Sequence, residues 1–183
     1  AEPFLGRSFA AADPRAASTG LLPLALQALG NNYTRGVTSV AVSLKGGTPE
    51  LVYRERDALH RVPVGLGRPL VSQLDFRGNV YHAAALGRFT HDEEERPVFY
   101  IRLAFIETPC VRILKLVLDG EDLLLRQSET PGEPYVFGKL RAAAQSPLYR
   151  PLLLLAAGGT EEDYLRYKTR QVLSPEILFR AET

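Results

Sequence analysis

The chain has 183 residues, 45% of them hydrophobic and 23% charged, with a formal net charge of +1. This is the make-up of a folded domain with a real core, and its near-neutral charge and scattered basic residues supply no bulk field that would draw it to nucleic acid. One cysteine excludes an internal disulfide and a cysteine-based zinc cluster, the three histidines lack metal-ligand spacing, and no apolar run approaches the ~18 residues of a membrane span.

Residues 1–20 are small, polar and proline-bearing, and read as an extended lead-in or linker. The chain begins Ala-Glu-Pro, shows no signal peptide and contains no methionine. A trimmed initiator, a processed exported precursor and a fused parent all fit, so the compartment stays open between cytoplasmic and exported. A short helix is expected over the leucines from Leu21 to Leu29, with Pro23 in its first turn and Gly30-Asn31 as its stop.

From residue 36 the period changes to two. Val40, Val42 and Leu44 alternate with Ser39, Ala41 and Ser43, and Gly46-Gly47 makes the turn into a partner strand, "ELVYRER". A third strand covers "HRVPVGLG", with Pro63 at an edge or bulge. "NVYHAAALGRFT" predicts strand, kink at Gly87, strand. Asp92 to Glu95 form a solvated hairpin tip. Phe99, Ile101, Leu103 and Phe105 then line one face of a further strand, and two more strands meet at Asp119-Gly120.

About eight short strands with regular turn signals imply a mainly β (α+β) fold: an antiparallel meander closed as a small lipocalin-like barrel or half-barrel, since closure removes exposed edges. Beyond residue 135 the pattern turns helical, with Ser146-Pro147 and Thr160 as helix starts. The expected organisation is a lead-in over 1–20, a barrel over 21–135 and a helical extension over 136–183 packed on the barrel.

Motifs of chemistry are sparse. Cys110 follows Thr108-Pro109 and opens a strand, which is the setting of a packed thiol at a bend; a nucleophile would need a cation or histidine beside it. Tyr164 and Lys168 share one helical face at YxxxK spacing, but no glycine-rich dinucleotide loop accompanies them. Neither SxxK nor GxSxG occurs. Glu107 is an acid inside an apolar run and is expected to form an ion pair with Arg102 or Arg112. No cofactor, metal or catalytic residue is assigned.

Asn31-Asn32, Val62-Pro63, Gly65-Leu66-Gly67, then Phe105, Glu107, Thr108 and Arg112 form a pattern. It resembles the C-terminal accessory domain of bacterial β-lactamase-related (penicillin-binding-protein-like) serine hydrolases. The resemblance covers about half the chain, roughly 30–130, and departs where Arg68-Pro69 stands in place of a tryptophan. It implies a lipocalin-like accessory module without catalytic residues of its own. Such a module acts by protein contact or by shaping a neighbouring active site. Its partner would be a serine-hydrolase catalytic domain or a second copy of itself. The alternatives are a stand-alone binder of a small apolar ligand and a small cysteine enzyme using Cys110. Candidate residues for a barrel mouth or groove are Tyr53, Phe76, Tyr81, Phe89 and Tyr100, with Glu107 and Arg112 as polar anchors.

Overall fold

The computed structural model describes residues 2–13, 19–56, 58–132 and 173–182. Among them, ten antiparallel strands form one sheet curled into a nearly closed barrel. In chain order they are β1 (Ser8–Ala11), β2 (Val37–Lys45), β3 (Thr48–Glu55), β4 (Leu59–Pro63), β5 (Leu70–Phe76), β6 (Asn79–His91), β7 (Pro97–Phe105), β8 (Val111–Asp119), β9 (Asp122–Thr130) and β10 (Glu176–Ala181). A short helix, α1 (Leu24–Leu29), precedes β2.

The topology is an up-and-down meander whose ends meet. β1 pairs with β2 on one side and with β10 on the other, in the register Phe9↔Val40 and Phe9↔Ala181. The break in the hydrogen-bonded ring therefore falls between two strands that follow each other in sequence, β4 and β5. Residues 8–11, expected within a lead-in, and residues 176–181, expected within a helical extension, are thus strands of the barrel wall. The helices expected after residue 146, with Tyr164 and Lys168, lie outside the described residues.

Strict alternation fills the interior. Leu114, Leu116 and Leu118 of β8 face inward opposite Gln127, Leu125 and Leu123 of β9, and Phe99, Ile101, Leu103 and Phe105 of β7 continue the layers. Each such apolar side chain withdrawn from water contributes about 1.5–3 kcal/mol. One end of the barrel is aromatic: Phe89 stacks on Phe99 at 4.2 Å, and Phe4, from a 3-10 turn over Glu2–Phe4, closes on both. The other end is stoppered by residues 19–34, whose Leu21, Leu22 and Leu26 are buried. Here the sequence reading holds: the Pro23 carbonyl accepts the first helical bonds, and Asn31 takes a positive φ of 46° at the stop.

The turns at Gly46-Gly47 and Gly120 form as expected, and so does the Asp92–Glu95 tip. Asp92 Oδ1 accepts from the amides of Glu94 and Arg96, and Arg96 ties the tip to Asp92, Glu94 and Asp119 at 2.7, 2.8 and 3.6 Å. The kink expected at Gly87 does not form. β6 runs unbroken through Gly87, which marks close packing and not a kink: a β-carbon there would stand 2.5 Å from Val64 Cγ1 and 2.8 Å from Phe99 Cε2.

The gap between β4 and β5 is bridged at both ends. Beyond the start of β5, Gly65 pairs with β6, its amide donating to Ala85 O at 3.2 Å and its carbonyl accepting from Gly87 N at 2.8 Å. At the stoppered end, His60 of β4 lies on Phe76 of β5, with ring centroids 4.5 Å apart. The segment after α1 laces the same corner. Asn32 Nδ2 donates to Phe76 O, and Arg77 Nη1 donates to Tyr33 O at 2.9 Å.

Candidate functional site

Inward positions near the stopper carry charge instead of hydrocarbon. Arg112 and Glu129 face each other across β8 and β9, with Nη1 2.8 Å from Oε2 and both side chains shut from solvent. Arg112 Nε donates to Leu21 O at 3.3 Å and Nη2 to Leu22 O at 2.8 Å. Glu129 Oε2 accepts from Leu24 N at 3.0 Å. Burial pushes the Glu129 carboxyl up and the Arg112 guanidinium down, and the attraction between them opposes both shifts.

The knot extends across the barrel. Glu55 accepts from Leu21 N at 2.9 Å and from the Thr34 hydroxyl, and its Oε1 lies 3.7 Å from His60 Nε2. Gln127 Nε2 donates to Tyr53 Oη at 2.8 Å. Burial, reinforced by the charge of Glu55, drives the Tyr53 phenol far above its ordinary range. Arg112, Glu129 and Glu55 therefore share one job: they satisfy the backbone of a short stopper whose six-residue helix cannot satisfy its own ends. A buried ion pair is weak evidence for net stability but a strong positional constraint.

The structure separates the candidate residues. Arg112 and Tyr53 belong to the buried knot. Phe76 and Tyr81 join Phe105 in an aromatic cluster with centroids 6.0–6.3 Å apart, beside the stopper. Phe89 sits at the opposite end, and Tyr100 faces outward beneath the Arg88 guanidinium at 5.2 Å.

Glu107 is exposed, and its partner is neither Arg102 nor Arg112. β7 ends at Phe105, and the following turn swings the acid out to His82, where Nδ1 lies 2.6 Å from Oε1 and the His82 amide donates to both oxygens. These bonds hold the carboxyl below the usual glutamate range. A depressed folded value means stabilisation that is present above the unfolded value and lost as pH falls through the folded one. His82→Ala is expected to raise the Glu107 midpoint in an NMR titration, though not fully, because the backbone donor remains. An unmoved midpoint would show that the imidazole contributes nothing.

Cys110 is buried at the end of the β7–β8 turn. Its amide donates to Thr108 Oγ1 at 3.3 Å and its carbonyl accepts from Phe105 N at 3.0 Å. Among the described residues its thiol makes no hydrogen bond to a histidine. No group of three metal-ligating side chains is assembled among the described residues, and no described helix is long and apolar enough to cross a membrane.

Sequence reasoning missed Glu55, His60, Gln127 and Glu129. Gln127 and Glu129 were legible, since they share the inward phase of Leu123 and Leu125 on β9. The hollows of about 800, 570 and 360 Å³ lie on the outer face or along the seam. The hollow between stopper and barrel, beside His60 and Phe76, measures about 10 Å³, room for one water. Comparison with protein-family models, with curated proteins and with solved structures finds no match to this chain.

Proposed function

We infer that this chain is a non-catalytic binding module that works through its outer surface. It would serve as an accessory domain to a catalytic partner, of the kind implied by its resemblance to the C-terminal domain of β-lactamase-related serine hydrolases. The observation that carries this reading is the filled interior. Side chains occupy the barrel from Phe4 to the stopper, and the inward-facing charged groups are consumed in holding that stopper. This weighs against an apolar ligand in a barrel mouth, which needs roughly 300 Å³ or more of space. It also weighs against a mechanism built on Arg112 or Tyr53, which solvent and substrate do not reach.

The test pairs two measurements on the purified chain. The apolar dye anilinonaphthalene sulfonate is expected to show no saturable binding, and iodoacetamide at neutral pH is expected to label Cys110 no faster than a buried thiol, followed by intact mass. Saturable dye uptake that is competed by fatty acid would replace this reading with the ligand binder. Rapid labelling together with turnover of an ester or a chromogenic cephalosporin would replace it with an enzyme.

A further inference from the structure

The outer face of β6–β9 carries a feature that the accessory reading does not use. One cross-strand row runs Arg88, Tyr100, Lys115, Arg126, each residue directly opposite the next. Like charges opposed across a ladder destabilise it, and Lys115 faces Arg126 directly. Arg126 is only partly compensated: its Nε is buried and lies 3.4 Å from Glu176 Oε1 without forming a hydrogen bond. Arg88 stacks on Tyr100, and among the described residues neither Arg88 nor Lys115 has a carboxylate within ion-pair distance. This row lines the hollow of about 800 Å³, whose lining includes the buried Val98 and Val117.

We propose that this groove binds a small polyvalent oxyanion, with acidic groups held by Arg88 at one side and by Lys115 and Arg126 at the other, and the body of the ligand against Tyr100. Neighbouring strands are ~4.8 Å apart, so Arg88 and Lys115 stand two strand spacings apart, roughly 10 Å, a span that long side chains close onto a compact ligand. The groove is bounded by the acidic tip. Arg96 offsets only one of the two charges of Asp92 and Glu94, and Glu93 adds to the negative rim that remains. That rim, with a net charge of only +1, favours a small anion over an extended nucleic acid.

The inference rests on the reading that binding is external. Its probes are inorganic pyrophosphate and citrate, titrated at low ionic strength with NMR observation. Saturable shifts confined to residues around 88, 100, 115 and 126 are expected for at least one, with a Kd of about 1 mM or tighter. The tighter of the two identifies phosphate or carboxylate as the preferred group. Arg88→Gln and Lys115→Gln should each weaken binding about tenfold, while Lys45→Gln, at the end of β2, should leave it unchanged. The proposal falls if neither anion binds by about 10 mM, if Lys45→Gln weakens binding as much as the groove variants, or if only an oligonucleotide binds through Arg88 and Lys115. Failure here with a chain still inert to dye and substrates removes the groove alone; dye uptake into the barrel removes the external reading itself.

Discussion

Arg112→Ala should cost about 3–5 kcal/mol in urea unfolding, the loss expected when one partner of a buried ion pair is removed. Three consequences add together. Glu129 is left charged and shut from solvent, and the carbonyls of Leu21 and Leu22 each lose a donor. Glu129→Gln should cost less, because the amide oxygen still accepts from Leu24 N and Arg112 keeps both carbonyls. The informative variant is the double replacement Arg112→Met with Glu129→Leu. Many buried pairs can be exchanged for hydrocarbon at no cost. This one should not be, since the orphaned backbone groups of residues 21, 22 and 24 carry a penalty of about 1–3 kcal/mol each. A double variant as stable as the parent would show that the pair does not hold the stopper.

The same variants predict a pH dependence. Burial already raises the folded-state value of Glu129 above its unfolded one. The folded chain then binds the proton more readily than the unfolded chain, so this group's contribution favours the fold on the acid side. It declines as pH rises from the ordinary glutamate range through the raised value. Without Arg112 the attraction that holds the value down is gone and the shift grows. The Arg112→Ala deficit should therefore narrow on acidification, as the stranded carboxyl takes up its proton.

Much of this was legible in the residues, and the failures have physical causes. Wall strands β2, β3 and β6–β9 announce themselves because one face is hydrocarbon and the other polar, and Gly-Gly and Asp-Gly mark their turns. β5 breaks that rule: Ser72 points inward in "LVSQLDF", and the hairpin that follows turns on Arg77-Gly78, with φ of 54° and 87°, where an arginine disguises the signal. β1 and β10 are short, and their meaning lies in each other. No local pattern in Ser8–Ala11 reports that Phe9 will stand opposite Ala181. Glu107 misled because its spacing continues the inward phase of Leu103 and Phe105 on β7. The strand ends two residues too early for that phase to apply, and His82 is waiting on the outside.

Gly65→Ala should open the barrel at its seam. A β-carbon on Gly65 would lie 1.8 Å from Arg68 O, a backbone atom that cannot rotate away, and 3.2 Å from Leu70 Cγ. The 65–68 turn must then move, and with it the pair of bonds that join Gly65 to Ala85 and Gly87. Overpacking of this kind costs about 1–3 kcal/mol, and two weakened hydrogen bonds add about 1 kcal/mol each. Gly67→Ala is the matched control. Nothing lies within 4 Å of its β-carbon, so its effect should stay within about 0.5 kcal/mol. Hydrogen exchange localises the damage. The Gly87 amide, which donates to Gly65 O at 2.8 Å, should lose protection, while the Val64 amide, bonded to Pro49 O at 2.8 Å on the far side of β4, should keep more of it. Freed edges on β4 and β5 would also template pairing between chains, so the variant should aggregate at concentrations where the Gly67 control stays dispersed. A Gly65→Ala protein that matches the control in stability and exchange would mean that ring closure depends on the His60–Phe76 contact and the Asn32 and Arg77 bonds alone.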